Sequence, residues 1–412
     1  MTLMFKSFRI GSVIGIPVKL DVTLLLILPV FAWLIAFQVG ELVPILNDLF
    51  GTEIAAEALT DGSTPWVLGT VAAVGLFASV FLHELGHSVV AIRYGFPIDS
   101  ITLWLLGGVA QLSEQPREWR QELLIAIAGP IVSVGLGVAF YALAVVAPAA
   151  LDAVATAATI DAVVFVVAYL AVLNVVLAAF NMLPGFPMDG GRVLRALLSR
   201  NRSFAVATAQ AAQVGKWFAL LIGLFGVLAL NFILVAVAFF IYIAAAAEAR
   251  QTALQAAVEG ITVRDMMTPG DEIDTVEPTL PVAELLDLML HQRHTGYPVL
   301  RGGRIVGIVT LEDVRAVPPE RREATTVEDV MTTDELETVA PDDDAMAALA
   351  ALQRNDIGRV LVFDDGGDLA GLVTRTDVVT ALDIGFVRAA GSHLGVPGPK
   401  GRADPPPEGP RW

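Results

Sequence analysis

Five long stretches of the chain carry almost no charge, and they limit what it can fold into. Residues 22–40, 65–82, 123–151 and 162–188 contain no Asp, Glu, Lys or Arg, and residues 204–247 contain only Lys216. About 18–20 apolar residues are enough to span a bilayer core. As one helix the last stretch would be about 66 Å long at ~1.5 Å per residue. That is twice the roughly 30 Å core, so it is expected to break near Asn231, giving six spans. The first run is too long, and starts too far in, for a cleavable signal peptide. The chain is 55% hydrophobic and 17% charged, against about 45–50% and 25% in soluble domains. A single soluble globule, a disordered chain and a nucleic-acid binder are excluded.

Charge divides the chain. Residues 1–250 hold 12 Lys+Arg and 15 Asp+Glu, whereas residues 251–412 hold 14 and 28. The second part is a water-facing acidic domain that repels nucleic acid and anionic lipid. Lysine occurs four times against 22 arginines. A lysine-poor acidic surface suits high salt, where screening removes self-repulsion, and points to a halophilic archaeal source. Lys6, Arg9, Lys19, Arg93, Arg117, Arg120, Arg192, Arg195, Arg200 and Arg202 fall in alternate connections between spans, and the other connections hold no Lys or Arg. The positive-inside rule makes the basic set, both termini and the acidic domain cytoplasmic.

The chemistry lies within the apolar part. The second span runs into His83-Glu84-Leu85-Gly86-His87. On a helix, residues i and i+4 share a face, so both imidazoles meet one ion. Glu84 is one step round, where it reaches a water on that ion without ligating it. Ionisable groups inside a membrane helix are costly and usually functional. The chain has no Cys, and His83 and His87 are the only His residues before position 291. A third ligand in this part is therefore expected to be a carboxylate. Asp189, expected at the end of the fourth span, is the only acidic residue between Asp161 and Glu248. Pro184 and Pro187 before it, and Gly190 and Gly191 after it, make irregular backbone, which survives at membrane depth where it lines a cavity or is buried in protein. Asn174 and Asn181 share a helix face. One of them is placed to hold a substrate peptide or an oxyanion, and Asn174 equally suits an interhelical hydrogen bond.

HELGH on one span and NMLPGFPMDGGR about 100 residues later resemble the site-2 protease family of intramembrane zinc metalloproteases. Ala128-Gly129-Pro130, Gly107-Gly108 and the opening residues 11–20 also look like family features. The resemblance covers residues 1–250. It implies one zinc per chain held by His83, His87 and Asp189, with Glu84 as general base and Asn181 assisting the substrate or oxyanion. Many members carry a PDZ domain between the two motifs; residues 93–121 are too short for one. Residues 98–112, ITLWLLGGVAQL at their core, read as a hairpin or re-entrant strand pair. An edge strand there can grip an extended peptide by β-addition, an assignment the resemblance supports.

The acidic part repeats itself. Val263-Arg264-Asp265-Met266-Met267-Thr268 returns 64 residues later as Val327-Glu328-Asp329-Val330-Met331-Thr332, and residues 307–314 return as 371–378. Each unit reads as strand, helix, two strands, helix, a pattern that resembles a tandem CBS pair. That resemblance implies an adenine nucleotide held by Thr310 and Asp313 and by Thr374 and Asp377. T-x-x-D after a strand is also a helix-capping box.

The expected fold is a polytopic α-helical membrane domain of six spans with a short re-entrant β segment, plus a cytoplasmic α/β tandem CBS domain. The expected divisions are a protease domain over 1–250, a helical linker over 251–260, CBS repeats over 261–320 and 321–384, and a disordered tail over 385–412. The expected function is zinc endopeptidase action on a transmembrane client in the plasma membrane, regulated by the CBS pair, which also offers a homodimer contact. The rival is a CBS-regulated transporter or metal-handling protein, which predicts charges spread over several spans.

Overall fold

A computed structural model describes residues 7–105, 107–112, 116–333, 336–354 and 357–393. Of the tail expected over 385–412, residues 394–412 lie outside them. The chain divides into two units, Met1–Arg250 and Gln251–Trp412.

Six helices among the described residues are long and apolar enough to cross a membrane, and the protein is a multi-pass membrane protein. The first unit opens with β1 (Ser7–Val13) and β2 (Ile16–Asp21), an antiparallel hairpin turning at Ile14-Gly15, both at positive φ. The Asp21 carboxylate accepts from the Thr23 amide and caps α1 (Val22–Phe50). A short α2 (Ala56–Thr60) precedes α3 (Thr64–Arg93), whose Pro65 sits in the first turn, where its missing N–H costs no bond. Then come β3 (Ile98–Trp104) and β4 (Gly107–Leu112), α4 (Trp119–Leu151) and α5 (Ala157–Asn181). They are followed by α6 (Asp189–Ser199), α7 (Phe204–Leu228) and α8 (Phe232–Val258). The break between α7 and α8 falls at the expected Asn231.

The expected hairpin at 98–112 is present, but it is half of a larger sheet of order β1-β2-β3-β4, with β3 parallel to β2. β4 is one edge of that sheet. Helices α1 and α3 pack through Ala32, Ile35, Ala72 and Ala73. A Cβ on Gly69 would strike the Ala32 carbonyl, so small residues set how closely these backbones approach, as is usual between membrane helices.

Two expectations change. The fourth span ends at Asn181, and Asp189 instead opens the separate helix α6. Pro184 and Pro187 supply no backbone donors to continue a helix. Gly190 and Gly191 let the first turn of α6 press against the backbone of Met182, Leu183, Gly185 and Phe186, where a Cβ would collide. Arg195, counted above among loop charges, is buried on α6.

In the second unit, α9 (Val263–Met266), β5 (Thr268–Pro269), α10 (Val282–Gln292), β6 (Gly296–Arg301), β7 (Arg304–Thr310) and α11 (Leu311–Ala316) form the first repeat. The second holds β8 (Thr338–Val339), α12 (Ala345–Arg354), β9 (Arg359–Phe363), β10 (Leu369–Thr374) and α13 (Arg375–His393). The repeats exchange their opening strands. Thr268 pairs with Leu372 of the second repeat, and Thr332 bridges to Ile308 of the first. Each has its own core, around Leu285, Tyr297 and Val309 in one and Leu352, Val360 and Val373 in the other. Helix α13 continues to His393, beyond residue 384 where the tail was expected to begin. No proline interrupts it, and Gly385 admits the Ala257 carbonyl at the end of α8.

Candidate metal centre and active site

His83 and His87 lie one turn apart on the buried side of α3, and α6 brings Asp189 against them. Asp189 stands 106 and 102 positions from them in sequence. Its Oδ2 is 3.0 Å from His83 Nε2 and 3.1 Å from His87 Nε2, and the two Nε2 atoms are 3.2 Å apart. All three residues are under a tenth exposed.

Hydrogen bonds at the far side of each ring bear on what this cluster could hold. The Nδ1–H of His87 donates to the Ile125 carbonyl at 2.7 Å. Nδ1 of His83 lies 2.8 Å from the Ser133 hydroxyl. A carbonyl only accepts, so His87 keeps its hydrogen on Nδ1 and turns a lone pair out from Nε2. Such outer bonds orient metal-ligating histidines. With the His83 Nδ1–H likewise donating to the Ser133 hydroxyl, which can accept it, two imidazole lone pairs and a carboxylate oxygen converge on one point, an arrangement that suits a cation between them. A tetrahedral zinc with ligand bonds of about 2.0–2.1 Å sets its ligand atoms about 3.3 Å apart, close to the separations here. The donor set fits zinc with three protein ligands and an open fourth position.

Space around the cluster is kept by glycine. A Cβ on Gly129 of α4 would strike His87 Nε2 and His83 Nε2. Glu84 extends toward the sheet, and a Cβ on Gly108 of the edge strand β4 would strike its Cγ. The edge strand therefore runs beside the general-base candidate.

The other predicted residues fall elsewhere. Asn181 donates from Nδ2 to the Leu177 carbonyl of its own helix at 3.1 Å, not to the cluster. Asn174 is fully buried and donates to Ser79 of α3 at 3.1 Å and to the Leu170 carbonyl at 2.9 Å, the interhelical alternative. In the second unit, Asp313 Oδ2 accepts from Thr310 N at 2.7 Å and Oγ1 at 2.8 Å, and Asp377 does the same with Thr374 at 2.8 and 2.7 Å. Both pairs are helix-capping boxes. Sequence reasoning missed Ser133 and the Ile125 carbonyl. Ser133 is the one serine in the charge-free run 123–151, which is the trace it leaves.

Residues 71–224 match peptidase family M50, and residues 263–320 and 327–384 each match the CBS domain. The zinc metalloprotease MJ0392 of Methanocaldococcus jannaschii is 34% identical over 92% of this chain and 96% of its own length. Rip3 of Mycobacterium tuberculosis is 33% identical over 92% of this chain and 94% of its own length. A solved site-2 protease from M. jannaschii, 33% identical, covers 59% of this chain and 95% of its own, with a TM-score of 0.39.

Proposed function

The chain belongs to peptidase family M50, and from that membership we propose how its own residues cut a peptide bond within the membrane. It is an intramembrane zinc metalloprotease that carries a CBS pair. The ligands are His83, His87 and Asp189, and Glu84 is the general base. The observation that carries this reading is the meeting of three electron-pair donors, all buried, at one point beside Glu84.

Zinc, when bound, supplies Lewis acidity: it brings the ionisation of water to about neutral pH and polarises a peptide carbonyl. His83 and His87 would hold it through Nε2, and their Nδ1 bonds to Ser133 and Ile125 hold the rings in orientation. The Glu84 carboxylate takes a proton from the water that adds to the carbonyl carbon. It then delivers that proton to the amine nitrogen as the C–N bond breaks. No side chain is acylated. Asn181 steadies the substrate carbonyl once its amide leaves Leu177.

The substrate is a transmembrane segment of a client protein, opened into an extended strand. A helix hides its carbonyls in internal bonds, so it has to unwind before hydrolysis. Among the described residues β4 is paired on one side only, and a peptide added to its other side passes beside Glu84, against which Gly108 rests. The basic connections, both termini and the CBS pair lie in the cytoplasm, with the spans in the plasma membrane. The CBS pair gates the protease through an adenine nucleotide and provides a homodimer contact. Replacing Glu84 by Gln tests the core of this reading. The variant keeps its zinc while client proteins accumulate uncut; wild-type cleavage by it would remove Glu84 from the role.

A further inference from the structure

Three further ionisable groups lie within the membrane unit and take no part in the chemistry above. Arg195 of α6 is 4% exposed and Glu122 of α4 is 3% exposed. Arg195 Nε donates to Glu122 Oε1 at 2.5 Å, and its Nη1 donates to Glu248 Oε1 of α8 at 3.0 Å. The guanidinium also lies between two rings, 4.9 Å from the centroid of Phe186 and 4.5 Å from that of Phe204.

Taking charges out of water costs several kcal/mol per ion, which pairing often repays only in part, so burying Arg195 with Glu122, beside a Glu248 side chain about a third exposed, calls for a purpose. Its position supplies one. Phe186 precedes Asp189 by three residues and Arg195 follows it by six, and the two stack on each other. The contact closes the irregular loop onto the helix that begins with the ligand. The two carboxylates then tie that helix to α4, which carries Ser133 and Gly129, and to α8. Ala245 of α8 belongs to the same buried cluster as Phe186, and Ile241 to the same cluster as Met188, the residue before Asp189.

We propose that Arg195 is a positioning residue that holds Asp189 at the metal by clamping α6 to α4 and α8. The clamp gives α8, the helix that runs on into the second unit, a direct hold on the ligand helix. This rests on the ligand assignment above, so zinc on the wild-type protein is measured first. Failure there removes the assignment itself. The test of the clamp is competition between the purified full-length protein and a chelator for zinc alone, in wild type, Arg195→Met, Arg195→Lys and Glu248→Gln. Outer partners of metal ligands typically contribute about 10–100-fold in metal affinity. Arg195→Met is expected to weaken zinc by about that factor while the protein stays monodisperse and helical, with Arg195→Lys recovering part of it. Phe165→Leu, in the core remote from the metal, is expected to lower thermal stability without moving zinc affinity. If Arg195→Met does not fold, Glu248→Gln decides. It leaves the guanidinium paired with Glu122, and an affinity equal to wild type overturns the clamp. Unchanged zinc affinity in folded Arg195→Met, or an equal loss in Phe165→Leu, also overturns it.

Discussion

The His83 ring presents Nδ1 to the Ser133 hydroxyl at 2.8 Å, a bond from α3 to α4 across 50 positions of sequence. It fixes which way Nε2 points. Ser133→Ala removes the hydroxyl and leaves a ring nitrogen buried without a partner. We expect zinc affinity to fall by about 10-fold or more, read by chelator competition. Unchanged affinity would mean that packing alone orients the ring.

Gly129→Ala is a second test on the same helix. Alanine is favoured over glycine by about 1 kcal/mol inside a helix, so the change does not disfavour α4 itself. Its Cβ, however, would enter the space between the two imidazoles. The expected result is a folded protein with sub-stoichiometric zinc by elemental analysis and little cleavage.

Chelation is expected to abolish cleavage, and added zinc to restore it. Bound metal also stabilises the folded state by linkage, about 4 kcal/mol when free zinc stands at about 1,000 times its dissociation constant. The thermal midpoint of the membrane unit therefore rises with zinc in wild type. It stays flat in the double variant His83→Ala, Asp189→Ala.

The orientation is checked with single cysteines, since the chain has none of its own. Tyr94 and Asn201 are exposed at the ends of α3 and α6, whereas Gly62 lies before α3 at its other end. Impermeant thiol reagents added outside cells are expected to label the Gly62→Cys variant and to miss Tyr94→Cys and Asn201→Cys. The reverse pattern would invert the topology.

Asp313→Ala and Asp377→Ala each remove a capping carboxylate, and a lost cap typically costs about 1 kcal/mol. Calorimetric titration of the full-length protein with ATP and with AMP separates this cost from ligand binding. Loss of nucleotide affinity in either variant supports those aspartates as ribose partners. Affinity equal to wild type leaves them as caps alone.

The parts of the site that could be read in the sequence are those where charge interrupts an apolar run. His83, Glu84, His87 and Asp189 stand out because almost nothing near them is polar. The bonds that orient the rings leave weaker traces: the Ile125 partner is a backbone carbonyl, which no side chain announces. β1 and β2 escape notice because Gly11, Gly15 and Pro17 break any alternation of apolar residues, and the sheet forms only when β3 arrives from about 80 residues away. Arg195 reads as a loop charge because α6 is short and begins with glycines. Only tertiary contacts, with Glu122, Glu248, Phe186 and Phe204, remove it from water. In the second unit the T-x-x-D segments are visible as motifs, and local geometry makes each a cap before any ligand is considered.

Helix α8 runs from Phe232 to Val258 without a glycine or a proline, and the next turn residue is Gly260 at positive φ. A coil between two units is indifferent to one residue more or less. A helix is not, because each added residue advances the rest of the chain by about 1.5 Å and swings it by about 100°. The segment after Glu248 therefore has a phase. One or two residues inserted after Glu248 turn the buried Thr252, Ala257 and Val258 to a different side of the helix, whereas about seven, two full turns, bring them nearly back. Evolution of this joint is expected to tolerate changes of composition far more readily than changes of length.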